Sequence, residues 1–219
     1  MYFVGEEAYK QFNKKLVSTQ YEILGVRVPV IRNTVKQLIK DDLWQQVLTE
    51  VPKYHEEVQL HSFLLAAAPM TINERQQRLQ HFFSYIDNWQ VVDGLCSSLK
   101  EVKMYPQCYW DWLMSLRDSK QPFVVRFIIV MYLVYYLEEP YLESILSYVE
   151  QLTVDHYYVK MAVAWTLSIA FIKHRGRITQ FFKETAIETW TYNKAIQKII
   201  ESKQISPEIK DMVRSWKRK

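Results

Sequence analysis

The chain has 219 residues, of which 49% are hydrophobic and 24% are charged, so it can bury a sizeable core and is too apolar to be disordered. Its four glycines lie far apart, at Gly5, Gly25, Gly94 and Gly176. This spacing excludes a dinucleotide-binding fingerprint and a phosphate-binding P-loop, and so few glycines also argue against an all-β chain. We therefore predict a helical protein that uses no nucleotide cofactor.

The net charge of +4 is unevenly distributed along the chain. Residues 155–219 contain 13 basic and 6 acidic side chains, a balance of +7, whereas residues 1–154 contain 15 and 18, a balance of −3. A basic third joined to a slightly acidic body favours a polyanionic partner. The basic tail Lys217, Arg218 and Lys219 is by itself a weaker indication, because a short basic end is often only solvated.

Three features of the sequence bear on the cellular compartment of the protein. Residues 1–7 are acidic and lack an apolar core, which predicts no secretory signal. The longest apolar stretch, residues 127–137, has 11 residues, fewer than the roughly 20 that span a bilayer. Cys96 and Cys108 lie in helical segments without a partner motif, so we expect reduced thiols. These features predict a cytoplasmic protein with no membrane partner.

Prolines recur between segments of helical periodicity, which predicts about a dozen short helices. Two helix starts have a hydroxyl cap followed by an early acid, at Thr71 and at Ser206. The punctuating prolines are Pro52, Pro69, Pro106, Pro122, Pro140 and Pro207.

A repeat of about 34 residues is the most informative pattern in the sequence. When the segments that begin at residues 54, 87, 121, 155 and 190 are aligned, one column holds Val58, Val92, Val125, Val159 and Asn193. The next column, with spacings of 34, 33, 34 and 34, holds Gln59, Asp93, Arg126, Lys160 and Lys194. The period is typical of stacked helix pairs, and the tetratricopeptide consensus is absent. We predict an all-α, right-handed α-solenoid of HEAT-like repeats, with residues 1–219 forming one domain.

The charges of the second column interrupt otherwise apolar helices, and such charges are costly unless they face water or a partner. Each could lie at the edge of an amphipathic stripe, and Asp93 and Arg126 could form an ion pair between repeats. Three charges in register favour a shared inner groove lined by Asp93, Arg126 and Lys160.

The candidate chemistry is a carboxylate among aromatic rings and cations. Trp89 and Asp93 are four residues apart and share a helix face, and Trp165 follows Lys160 at a distance that lets it flank the same groove. Cations bind phosphates, and a carboxylate can stabilise a developing oxocarbenium ion or orient a water. No metal site is expected, because the second ligand of a zinc-protease helix that starts at His55 would fall at Gln59.

Five segments carry a resemblance to a known family. They are residues 24–29 (LGVRVP), 54–57 (YHEE), 88–93 (NWQVVD), 125–126 (VR) and 159–165 (VKMAVAW), and the Trp-x-x-x-Asp spacing is the most specific of them. Over nearly its whole length the chain resembles the DNA alkylation repair family, the AlkD-type HEAT-like-repeat alkylpurine DNA glycosylases.

The resemblance implies a concave face that binds double-stranded DNA. It also implies base excision repair, in which the N-glycosidic bond of N3- or N7-alkylated purines is hydrolysed without metal or cofactor. It implies that Asp93 is the catalytic carboxylate, that Trp89 and Trp165 pack against the lesion's deoxyribose, and that Arg126 contacts phosphate. Lys160 and Lys194 join Arg126 as predicted DNA-binding residues. A monomer associated with the prokaryotic nucleoid is the expected form.

One position departs from the family pattern. Active AlkD-type members have an arginine three residues after the second tryptophan, and this chain has Ser168 at that DNA-binding position. Loss of a phosphate contact there lowers affinity, and the chain also resembles a shorter branch of the family. A catalytically silent paralogue that recognises damaged or branched DNA is therefore one alternative, and a protein-interaction scaffold is another.

Overall fold

The computed structural model describes residues 4–219, so the first three residues of the acidic N-terminal segment lie outside the described residues. Thirteen α-helices make up this part of the chain, and it has no strand apart from one isolated bridge between Glu22 and Tyr54. The all-α prediction is confirmed. The chain forms two compact units, Met1–Trp112 and Leu113–Lys219. The single domain, its handedness and its concave face remain predictions.

The first unit holds the N-terminal helices and two short 3-10 turns, Phe83–Tyr85 and Lys100–Lys103. Its helices are α1 (Glu7–Leu16), α2 (Val28–Lys40), α3 (Trp44–Thr49), α4 (His55–Ala67), α5 (Ile72–Phe82), α6 (Trp89–Ser98) and the greater part of α7 (Pro106–Ser115). The central helix α4 packs against α2, α5 and α6 and is buried on nearly every side. This position explains why α4 has little amphipathic character.

The second unit holds the remaining helices and a π-helical turn, Tyr132–Tyr136, that continues α8. Its helices are α8 (Pro122–Met131), α9 (Glu139–Gln151), α10 (Tyr157–Lys173), α11 (Arg175–Glu184), α12 (Thr189–Glu201) and α13 (Pro207–Arg214). The long helix α10 packs against α8, α11 and α12 and takes the central place that α4 takes in the first unit.

Helix starts follow the period found in the sequence. The helices α4, α6, α8, α10 and α12 begin at residues 55, 89, 122, 157 and 189, which are 34, 33, 35 and 32 residues apart. Each is followed in the chain by a second helix, α5, α7, α9, α11 and α13 respectively. The valine column lies in the core, because Val58, Val92, Val125 and Val159 are at most 1% exposed. Burial of these side chains keeps the residues that follow them at equivalent places on successive helices.

Capping was predicted well at one helix start and less well at another. The Thr71 hydroxyl accepts a hydrogen bond from the Glu74 amide at 3.2 Å, and α5 begins at the next residue. Ser206 occupies the cap position of α13 but makes no side-chain cap bond. Cys96 lies in α6 and Cys108 in α7, so both occupy helical segments as expected. None of the helices within residues 4–219 is both long and apolar enough to cross a membrane.

A buried carboxylate fixes the loop before α2 in the first unit. Glu56 is fully buried on α4, and its carboxylate accepts hydrogen bonds from the amides of Leu24, Gly25 and Val26 at 2.9, 2.7 and 3.2 Å. Gly25 has a φ of +90°, a conformation that side chains strongly disfavour. Its carbonyl in turn accepts a bond from the Glu6 amide, so this loop also holds the start of α1.

Candidate nucleic-acid interface

The start of α6 sets the position of the predicted carboxylate in the first unit. Asn88 is fully buried, and its side-chain oxygen accepts hydrogen bonds from the amides of Gln90 and Val91. This N-cap satisfies two of the amide groups that the first turn of a helix leaves open. Trp89 is therefore the first helical residue, and Asp93 lies one turn further along the same face.

The Trp89 side chain is held at its polar edge. Its Nε1 donates a hydrogen bond to the Leu16 carbonyl, at the end of α1, at 3.2 Å, and the side chain is half-buried. Asp93 is half-buried as well. The next residue, Gly94, lies against Phe63 of α4, and a Cβ at that position would come within 3.2 Å of the ring. Close packing of α6 on α4 thus fixes the turn that carries Trp89 and Asp93.

A polar network behind Trp89 secures this geometry. The Asp87 carboxylate accepts hydrogen bonds from the Thr19 hydroxyl at 2.8 Å, from the Gln20 amide at 2.6 Å and from the Asn88 side chain at 2.8 Å. The Nε2 atom of the buried His55 lies 2.8 Å from the Gln90 side-chain oxygen. Its Nδ1 atom lies 3.4 Å from the side-chain nitrogen of Asn88. The tautomer with its proton on Nε2 satisfies both contacts.

Arg126 of the second unit is more buried than the sequence suggests. It is 5% exposed, its Nη1 donates to the Tyr158 carbonyl at 2.5 Å, and its guanidinium lies 6.0 Å from the centre of the Tyr158 ring. A guanidinium carries five N–H donors and can bind more than one acceptor at once. The contact positions Arg126 between α8 and the first turn of α10.

Lys160 lies between two acidic side chains of its own unit. Its Nζ is 2.6 Å from Asp155 and 3.4 Å from Glu188. The hydrogen bond to Asp155 raises the pKa of Lys160, and the same bond lowers the pKa of Asp155. The sequence did not predict these partners, and both are well exposed. Surface ion pairs of this kind contribute little to stability, so an anionic ligand can compete for the lysine.

Lys194 and Lys198 form a second cationic position, on α12. Lys194 donates to the Gln197 side chain at 3.1 Å. Burial lowers the pKa of Lys198, nearby Lys194 and Arg126 lower it further, and Glu201 opposes the effect. Like charges held close together favour the binding of an anion. Lys198 was not among the predicted site residues, although its place four residues after Lys194 puts both on one helix face.

Trp165 and Ser168 lie further along α10. Trp165 is half-buried. Ser168 is 4% exposed, and its hydroxyl donates to the Trp165 carbonyl at 2.7 Å, a contact within the helix. A DNA contact at this position would therefore require the hydroxyl to exchange its partner.

The predicted site residues thus fall into two sets. Trp89 and Asp93 share the first two turns of α6 in the first unit. In the second unit, Arg126, Lys160 and Lys194 lie near the starts of α8, α10 and α12, with α10 in contact with the other two helices. Within residues 4–219, no three His, Cys, Asp or Glu side chains are grouped so that they could hold a metal ion.

Helix pairs at a regular period, with polar residues in register near the helix starts, define an α-helical repeat protein. The chain belongs to the DNA alkylation repair family, because the family model described as "DNA alkylation repair enzyme" matches residues 4–199. A comparison with curated proteins finds no match. Membership of the family supports a role in DNA repair, with DNA as the partner.

Proposed function

We propose that this protein binds double-stranded DNA and hydrolyses the N-glycosidic bond of N3- or N7-alkylated purines. The observation that carries the proposal is the pairing of Trp89 and Asp93 on one face of α6, at the spacing that the family resemblance assigns to catalysis. The match to the family over residues 4–199 supports it. The proposed function is that of a monofunctional DNA glycosylase in base excision repair.

The chemistry requires little acid assistance, because an alkylated purine already carries a positive charge and leaves as a neutral base. Positive charge develops on the deoxyribose as the bond breaks, and a nearby carboxylate stabilises that charge. Asp93 is proposed to do this and to orient the attacking water. The indole faces of Trp89 and Trp165 are proposed to pack against the sugar, where an aromatic face favours cationic character.

Binding of the duplex is assigned to the cations of the second unit. Arg126, Lys160 and Lys194 are proposed to contact phosphates, and Lys198 adds charge beside them. Burial is the main cause of the lowered pKa of Lys198, and the nearby charges of Lys194 and Arg126 lower it further. Each of the two sets of residues is tested by its own variants.

The test of catalysis is release of 3-methyladenine and 7-methylguanine from methylated duplex DNA. Asp93→Asn keeps the size of the side chain and removes its charge, so we expect release to fall by at least about a hundredfold. Asp111→Asn, which changes an exposed acid on α7, serves as the matched control and should leave release unchanged. Equal release by wild type and Asp93→Asn would exclude the proposed role of Asp93.

A second candidate is a DNA-binding paralogue without glycosylase activity. One observation favours it: Ser168 replaces the family arginine, and its hydroxyl donates to the Trp165 carbonyl within α10. Wild-type protein would then release no base yet bind DNA with steep salt dependence. Arg126→Ala combined with Lys160→Ala should abolish that binding, whereas Lys183→Ala, an exposed lysine on α11, should not. Absence of any DNA binding would favour a protein-interaction scaffold.

A further inference from the structure

Aromatic rings form a continuous surface at the starts of three neighbouring helices in the second unit. This aromatic strip consists of Phe123 on α8, His156, Tyr157 and Tyr158 at the start of α10, and Trp190 on α12. Ring centroids are 5.5 Å apart between Phe123 and His156 and 6.0 Å apart between Phe123 and Tyr158. They are 5.2 Å apart between Tyr158 and Tyr157 and 5.7 Å apart between Tyr157 and Trp190. The strip therefore links α8, α10 and α12 through ring contacts.

Two members at one end of the strip are open to solvent. Tyr157 is 56% exposed and Trp190 is 38% exposed. Removal of large aromatic side chains from water is favourable, and a flat π-system covers their ring faces well. The two rings are therefore suited to stacking against a planar ligand, whereas Phe123, His156 and Tyr158 are half-buried and support them.

Cations accompany the rings along the strip. The Arg126 guanidinium lies 6.0 Å from the centre of the Tyr158 ring, and the Lys160 and Lys194 ammonium groups lie 5.9 and 5.8 Å from the centre of the Trp190 ring. Alternation of cations and aromatic faces is typical of surfaces that bind single-stranded nucleic acid. In these surfaces the cations follow the phosphates and the rings stack on the bases.

Two acids also border the strip, and both contact Lys160. Asp155 and Glu188 have side chains that are 84% and 51% exposed. Because these acids neutralise part of the charge of Lys160, a ligand of the strip must also make contacts other than ionic ones. Lys194 lies near Trp190 with a neutral glutamine as its hydrogen-bond acceptor, so its charge is available to a phosphate beside that ring.

We propose that the aromatic strip binds unpaired nucleotides of a DNA strand next to a duplex. Bases inside a duplex stack on each other and hide their faces, so exposed rings such as Tyr157 and Trp190 can stack only on bases that are unpaired or at an end. The inference rests on the proposed binding of DNA and adds its substrate class, which is DNA that contains both paired and unpaired segments.

Fluorescence anisotropy with two labelled probes tests the proposal. One probe is a blunt duplex, and the other is the same duplex extended by a short thymidine overhang. Wild-type protein should bind the overhang probe more tightly. Trp190→Ala and Tyr157→Ala should each remove roughly 5- to 150-fold of that advantage, the effect expected for loss of one stacked base. Trp190→Phe, which keeps an aromatic face, should retain most of it.

Controls separate stacking from charge and from folding. An overhang of abasic sugar-phosphate units should give less advantage than thymidine. Tyr105→Ala, which removes a ring that is 46% exposed in the first unit, should behave as wild type. In titrations with the overhang probe, the Trp190 fluorescence should be quenched, and this component should be missing from Trp190→Phe.

The outcomes distinguish this proposal from the proposed function. Binding of the blunt duplex without any gain from the thymidine overhang would overturn the assignment of the aromatic strip and leave duplex binding intact. An equal gain from the abasic overhang would also overturn it, because charge alone would then explain the affinity. Binding of the overhang without binding of the blunt duplex would support the strip and contradict the proposed binding of double-stranded DNA.

Discussion

Replacement of Glu56 by glutamine should destabilise the first unit far more than its conservative nature suggests. The carboxylate accepts three backbone hydrogen bonds, two at Oε1 from Gly25 and Val26 and one at Oε2 from Leu24. A glutamine can keep its oxygen towards Gly25 and Val26, but its amide nitrogen then faces the Leu24 amide, so two donors oppose each other.

The magnitude follows from these three bonds. One charge-assisted bond is lost and leaves the Leu24 amide unpaired, while the other two bonds lose their charge assistance. At about 1.5–3 kcal/mol for a bond to a charged group and about 0.5–1.5 kcal/mol for a neutral one, the lost bond and the two weakened bonds together cost about 3.5–6 kcal/mol. This is a large part of the roughly 5–15 kcal/mol that stabilises a typical domain.

Urea unfolding followed by circular dichroism measures the effect. The matched control is Glu57→Gln, at the next position along α4. Glu57 accepts from the Lys53 and Tyr54 amides through one oxygen, which a glutamine preserves, so no amide loses its partner. Water also reaches this half-buried side chain and screens its charge, so this variant should lose only about 1 kcal/mol. If Glu56→Gln were no more destabilising than Glu57→Gln, the inference that the buried carboxylate fixes the loop before α2 would be wrong.

Three further predictions concern other residues. Gly25→Ala should lower the free energy of unfolding, measured by urea denaturation, by about 1–3 kcal/mol or more. The reason is that φ is +90° and that the new Cβ would lie 2.8 Å from the Lys10 amide nitrogen. A stability equal to wild type would contradict this conformation. Burial lowers the pKa of His61 below its usual 6.5. The stability that the neutral imidazole contributes is therefore present above pH 6.5 and is lost as the pH falls through the lowered pKa. His61→Gln should reduce the loss of stability between about pH 7 and about pH 5, and an unchanged loss would refute this assignment. Lys198→Gln should weaken duplex binding and reduce the slope of log affinity against log salt by about 1, whereas an unchanged slope would place Lys198 outside the DNA contact.

The repeat was predictable from the sequence because packing imposes it. Val58, Val92, Val125 and Val159 occupy the same buried place in successive helix pairs, and this requirement leaves a period that self-comparison detects. Helix starts were predictable where a local side chain makes the cap, as at Thr71. At Ser206 the same pattern is present without the cap bond. The Ser206 side chain instead forms a hydrogen bond with Glu208, which lowers the pKa of that carboxyl.

The pairs of Lys173 and Arg177 with acids of another helix were not predicted, and these acids lie before residue 155, so they offset part of the +7 balance of residues 155–219. Lys173 pairs with Glu138, and Arg177 pairs with Glu143, both on or next to the preceding helix α9. The partners are separated by 35 and 34 residues, which is close to one repeat. A comparison of charges at one-repeat separations could therefore have found these pairs. The partners of Arg126 and Lys160 depend on side-chain directions that the period alone does not give.

The N-terminal helix has a consequence for the order of folding. Most side-chain contacts between neighbouring repeats join residues about one period apart, whereas Trp89 reaches Leu16 across 73 residues and Asp87 reaches Thr19 across 68. Closing such long loops costs chain entropy, and α1 buries only Asn13 in return. We infer that α1 docks after the helix pairs have formed and detaches before they unfold. The orientation of the Trp89 indole is therefore acquired late in folding and is lost first when the native state opens.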